Sequence, residues 1–113
     1  MRAGVPHLET VLRANRDAGR KSLVPYLTGG LGPWTDIIRA TAAAGADAIE
    51  VGIPFSDPVI DGPVIQEAND RALEAGITPP AVLDALAELD AGVPLAVMTY
   101  ANLVFRYGWR RFA

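Results

Sequence analysis

The sequence predicts an α/β fold built on a parallel sheet, and three observations carry that prediction. Three short, mostly apolar runs (Ser22–Thr28, Ala46–Gly52 and Pro94–Tyr100) have the length of strands covered on both faces. Segments with apolar residues at helical spacing separate them, which is the pattern of βαβ crossovers. Glycine or proline punctuates most of the junctions between the two kinds of segment.

In chain order, Pro6–Ala18 reads as an amphipathic helix with Leu8, Val11, Leu12 and Asn15 on one side. Gly19 ends it, and Arg20 and Lys21 suit its carboxyl end. The strand Ser22–Thr28 runs into a loop holding Gly29, Gly30 and Gly32; its Pro25 cannot donate to a ladder and marks an edge or bulge. Pro33–Ala44 forms a second helix with a small apolar face, stopped by Gly45. The strand Ala46–Gly52 is followed by a long loop, Ile53–Gly62, that carries Pro54 and Pro58. Pro63 opens a helix presenting Val64, Ile65, Ala68, Ala72 and Leu73, which ends near Gly76. Thr78 with Pro79 starts the next helix, on which Val82, Leu83, Leu86 and Leu89 recur before Gly92. After the strand Pro94–Tyr100 the chain turns past Asn102, and Trp109–Ala113 reads as a helix opening.

Composition narrows the function. Half of the 113 residues are hydrophobic and 20% are charged, enough for a real core and too apolar for intrinsic disorder. With no cysteine there is no disulfide scaffold, thiol nucleophile or thiolate zinc site, and a reducing cytoplasm fits. The single histidine, His7, argues against a histidine-rich metal site or a Ser-His-Asp triad, so no metal is expected. A net charge of −3 offers nucleic acid no basic field. No run approaches the ~20 apolar residues of a membrane span, and Met1–Asn15 lacks a signal-peptide core. A soluble, cytoplasmic protein is expected.

Two architectures satisfy the strand and helix pattern: an open doubly wound sheet, or part of a closed (βα)8 barrel. A barrel of ~250 residues spends about 31 on each unit, so this chain supplies roughly three and a half units. Three strands cannot close a barrel. The apolar end at Trp109 and Phe112 reads as truncation, making residues 1–113 a single partial domain with an extra helix at 6–18.

Alternate side chains of a strand share a face. Ala48, Glu50 and Gly52 therefore oppose Ile49 and Val51, while Ala96, Met98 and Tyr100 oppose Leu95, Val97 and Thr99. If the aliphatic sets meet the helices, the other face holds a carboxylate and a phenol near the strands' carboxyl ends, where α/β folds bind ligands. Partial withdrawal from water would suit Glu50 to acid–base work; an ion pair with Arg39 or Arg71 is the plainer alternative. Asp57 and Asp61 could join Glu50 in a carboxylate site, although each also stands where turns and helix starts favour aspartate. Gly29-Gly30 lacks both phosphate-loop spacings and reads as a strand-to-loop turn. Arg106, Arg110 and Arg111, beside Tyr107 and Trp109, read as a solvated helix face.

The run Gly45-Ala-Asp-Ala-Ile-Glu50-Val-Gly-Ile-Pro54-Phe-Ser-Asp57-Pro-Val-Ile-Asp61-Gly-Pro63-Val-Ile-Gln66 resembles the signature of the tryptophan synthase α subunit family. Leu23–Thr28 and Met98–Phe105 resemble the same family, so the likeness spans about Ser22 to Ala113. Thr28–Pro33 departs from the family's usual Gly-Asp-Pro turn. The resemblance implies the first part of a TIM barrel. It also implies retro-aldol cleavage of indole-3-glycerol phosphate to indole and glyceraldehyde 3-phosphate. Glu50 would be the acid–base residue and Asp61 would accept the indole N–H, with Tyr26, Met98 and Tyr100 lining the indole pocket. Pro54, Asp57 and Asn102 would face the β subunit of an α2β2 assembly. No cofactor is implied except pyridoxal phosphate in that partner. The other readings are a non-enzymatic half-barrel that associates through its open edge and a stand-alone indole-3-glycerol phosphate lyase.

Overall fold

The computed structural model describes residues 5–113; residues 1–4, part of the stretch tested above for a signal peptide, lie outside the described residues. The elements are α1 (Leu8–Asp17), β1 (Tyr26–Thr28), α2 (Trp34–Ala43), β2 (Ile49–Gly52), α3 (Pro63–Glu74), α4 (Pro79–Glu88), β3 (Leu95–Met98), α5 (Ala101–Tyr107) and α6 (Trp109–Phe112). The strands pair in parallel in the order β1-β2-β3.

Two elements differ from expectation. β1 is confined to Tyr26–Thr28 because Pro25 has no N–H for the ladder. Its carbonyl still accepts from the Glu50 N–H at 2.9 Å, so the preceding chain stays beside β2. Past Tyr100 the chain does not turn; it enters α5, a short helix that Gly108 closes before α6 begins. The rest follows the sequence closely, including Thr78, whose side chain accepts from the Ala81 N–H at the start of α4.

The register sorts side chains as parity requires. Tyr26, Glu50 and Ala96 form one row across the sheet, and Thr28, Gly52 and Met98 form the next row on the same face. Leu27, Val51 and Val97 occupy the opposite face with Ile49 and Leu95. That second face meets the helices, where Ile38, Ile49, Val51 and Val82 are fully buried. Burial of one such side chain contributes about 1.5–3 kcal/mol relative to exposure. Val64, expected on the apolar face of α3, instead lies 76% exposed at its first turn.

Below the sheet, at the amino end of β2, a polar network ties α1 to the strands. Asn15 is 3% exposed; its Nδ2 donates to Asp47 Oδ1 at 2.9 Å and to Ser22 Oγ at 3.0 Å, and Arg20 donates to its Oδ1. The second Asp47 oxygen accepts from the Leu23 N–H at 2.8 Å. Asn15→Leu should therefore lower stability by about 1.5–3 kcal/mol, the range for hydrogen bonds to a charged partner, measured as a lower urea midpoint.

The Leu23 and Asn15 donors, helped by Arg20, hold the Asp47 carboxyl below the usual carboxylate range. A depressed folded value adds stability above the unfolded value near 3.9, and that stability is lost as pH falls through the folded one. Asp47→Asn should accordingly flatten the fall of the urea midpoint below about pH 4 relative to the parent.

Candidate active site

The opposite end of the sheet holds the residues the sequence singled out. The inward row places Glu50 between Tyr26 and Ala96 on neighbouring strands, spaced by about 4.8 Å. Glu50 is half-buried, and none of the ion pairs among the described residues includes it. Arg39 pairs with Asp36 at 3.1 Å instead, so the structural ion pair considered above is not formed.

Gly52 follows two residues later on the same face. A Cβ there would collide with the Tyr26 hydroxyl and lie 2.8 Å from its Cζ. The missing side chain therefore gives the Tyr26 ring its place over the end of β2. Tyr26 Oη stands 3.2 Å from Thr28 Oγ1, within hydrogen-bond range. Burial pushes the Tyr26 hydroxyl above its ordinary value; the Thr28 hydroxyl pulls it down, and the charges of Asp61 and Glu50 push it further up. Both carboxylates thus act on one phenol.

Asp61 reaches this place from the loop after β2. Its N–H donates to the Pro58 carbonyl at 3.0 Å, and its own carbonyl accepts from Gln66 Nε2 at 2.7 Å. The backbone thereby makes the turn, as turn chemistry predicts. The side chain does something else. Gly62, not Asp61, stands at the N-cap of α3, and Tyr100 Oη donates to Asp61 Oδ2 at 3.1 Å. Burial and then this carboxylate raise the Tyr100 hydroxyl, against a backbone contact from Ile60. Phe55 packs on Tyr100 with ring centroids 4.8 Å apart and planes at 39°, within the range of favourable aromatic pairs. No lone feature of the sequence flags Phe55 beyond its place in the signature run.

Tyr26, Met98, Tyr100 and Asp61 line a cavity of about 70 Å3 at the carboxyl ends of β2 and β3. Gly52, Ile53, Ile60, Thr99 and Asn69 complete its wall. Asn69 escapes a reading of the sequence, although its position one turn before Leu73 and beside Ala68 and Ala72 marks a polar residue inside an apolar stripe. Acid–base and hydrogen-bond chemistry on a flat, polar-edged ligand is what this arrangement offers.

Other parts of the sequence surround it. Gly30, at φ 86°, lets the loop lie against α4's approach, since a Cβ there would be 2.6 Å from Ile77 Cβ; the glycine pair serves packing and turning. Arg110 stacks on Trp109 at 5.1 Å within α6, and Arg111 reaches back from α6 to the Tyr107 ring of α5 at 4.4 Å. Of the residues assigned to a partner surface, Asp57 and Asn102 are exposed. Pro54, in contrast, is fully buried within the chain. Among the described residues no three His, Asp or Glu side chains are grouped to hold a metal ion, and no helix is long and apolar enough to cross a membrane.

The family model described as tryptophan synthase alpha chain matches residues 12–113. The tryptophan synthase alpha chain of Halorhodospira halophila is 48% identical over 106 residues, covering 88% of this chain and 39% of its own length. That of Nitratidesulfovibrio vulgaris is 47% identical over 112 residues, covering 93% and 43%. Among solved structures, a ligand-free mutant form of tryptophan synthase from M. tuberculosis superposes with TM-score 0.83 at 40% identity, over 91% of this chain and 43% of that one. The alpha subunit from Legionella pneumophila str. Paris gives 0.78 at 35% identity, over 92% and 42%. The chain thus spans about two fifths of the length of the relatives it matches, and its three parallel strands are part of a TIM barrel. These likenesses favour neither the association module nor the stand-alone lyase.

Proposed function

Because the chain belongs to the tryptophan synthase alpha chain family, we propose that it supplies the acid–base half of a lyase site that cleaves indole-3-glycerol phosphate to indole and glyceraldehyde 3-phosphate. The carbon–carbon bond breaks only when the indole ring can accept its electrons. Protonation at indole C3 makes the ring an electron sink, and loss of the side-chain hydroxyl proton supplies the push. Glu50 moves these protons from the inward face of β2. Asp61 accepts the ring N–H and stabilises the positive charge that develops there. Tyr26, Met98 and Tyr100 hold the ring.

The observation that carries this reading is the cavity lined by Tyr26, Asp61, Met98 and Tyr100, with Glu50 beside Tyr26 in the inward-facing row of the sheet. The reaction uses no cofactor of this chain's own; pyridoxal phosphate belongs to the partner β subunit. The chain is read as one partial domain, in which α1 precedes the first barrel unit. Barrel phosphate sites lie after strands seven and eight, so residues 1–113 alone are expected to turn over negligibly. The test is indole release from indole-3-glycerol phosphate by the polypeptide extended to the length of its relatives. Release supports the reading; a folded polypeptide that forms no indole overturns it.

Asp57 and Asn102 lie on exposed backbone beside this site and would meet the β subunit in a cytoplasmic α2β2 assembly. Val59 and Ile60, 72% and 83% exposed on the same loop, add apolar surface suited to a protein partner. Asp57→Asn should leave unassisted indole release within about twofold, since exposed charge changes are small. Its stimulation by the β subunit should fall several-fold, read by titrating that subunit into the assay.

A further inference from the structure

Asn69 is 3% exposed, and its Oδ1 has no hydrogen-bond partner. It is the one such buried side-chain atom among the described residues. A buried polar group left unpaired costs stability, so its retention calls for an explanation. Asn69 lies in the wall of the cavity shared by Asp61, Tyr100, Tyr26 and Met98. Half a turn about its last bond exchanges the oxygen and nitrogen ends of the carboxamide, so either end can be presented to a ligand.

We infer that Asn69 is a substrate-binding residue whose carboxamide hydrogen-bonds a hydroxyl of the ligand in this cavity. The inference rests on the reading of the site given above. A carboxamide has one accepting and one donating end, which matches a hydroxyl, itself both donor and acceptor. The ring N–H is already claimed by Asp61, and the hydroxyls of the wall have partners within the chain: Tyr100 donates to Asp61, Thr99 to the Tyr100 carbonyl, and Tyr26 Oη stands 3.2 Å from Thr28 Oγ1. A hydroxyl on the chain attached to the ring is the group left for Asn69. The residue thereby separates a hydroxylated indole ligand from an apolar one of the same size.

The test uses the full-length polypeptide with Asn69→Leu and Asn69→Ala, the second guarding against misfolding of the first. Three quantities are read: KM and kcat for indole-3-glycerol phosphate, inhibition by an indole-3-alkyl phosphate lacking the chain hydroxyls, and the urea midpoint. One neutral hydrogen bond predicts a rise in KM of about 5–10-fold. Affinity for the deoxy inhibitor should stay within about twofold, and the Leu variant should match or exceed the parent's urea midpoint. An unchanged KM, or an equal loss of affinity for both ligands, overturns the inference. A lowered midpoint with unaltered ligand discrimination assigns Asn69 to the fold, with an ordered water as its partner. A parent that forms no indole removes the underlying reading, whereas an active parent with indifferent Asn69 variants removes only this one.

Discussion

Glu50→Gln should reduce indole release by about 10²–10⁴-fold in the full-length polypeptide, the range for loss of a positioned acid or base. Gln is nearly isosteric with Glu, so the row Tyr26–Glu50–Ala96 keeps its packing and the β2 ladder keeps its register. No ion pair of the described residues is broken, because Glu50 belongs to none. The urea midpoint should therefore stay close to that of the parent, and the loss should appear in kcat. Near-parental turnover in this variant would remove the proton-transfer role. The Tyr26 phenol gives a second readout: without the Glu50 charge its titration midpoint should move down toward the ordinary tyrosine value, followed by absorbance at high pH.

Asp61→Asn should cost about 10²-fold or more in kcat, comparable to removing one preorganised electrostatic partner of a developing charge. Asn retains an oxygen that can accept from Tyr100 Oη, so the contact at 3.1 Å need not be lost and the loop need not move. The missing ingredient is the negative charge. Since that charge helps raise both Tyr26 and Tyr100, the variant should lower the titration midpoints of both phenols. Glu50→Gln should lower that of Tyr26 without a matching direct effect on Tyr100. An unchanged rate in Asp61→Asn would eliminate the charge-stabilising role, even if the tyrosines respond as expected.

Much of this arrangement is legible in the sequence because strand parity is a rigid rule. The alternation in Ala48–Gly52 already separates Glu50 from Ile49 and Val51, and the register then places Tyr26 and Ala96 beside it. Parity says nothing about loops. The side chain of Asp61 could have capped α3, and only its contact with Tyr100 distinguishes the two uses. Nor does parity foresee that Pro54, in the loop after β2, is fully buried within the chain. α5 escapes notice because Ala101–Tyr107 is too short for helical periodicity to stand out. Asn15 and Asn69 share a different lesson. Each is a polar residue on an apolar helical stripe; one is engaged by Asp47, Ser22 and Arg20, whereas the other's Oδ1 has no partner within the chain.

The clasp around Asp47 sits at the amino ends of the strands, while Asp61 lines the cavity at their carboxyl ends. Protonating the former loosens the whole scaffold without touching the reacting atoms. The acidic limb of a rate–pH curve will consequently carry a contribution from the loosened scaffold as well as from the chemistry. Repeating the curve with Asp47→Asn isolates the scaffold contribution, because only that contribution depends on this carboxylate.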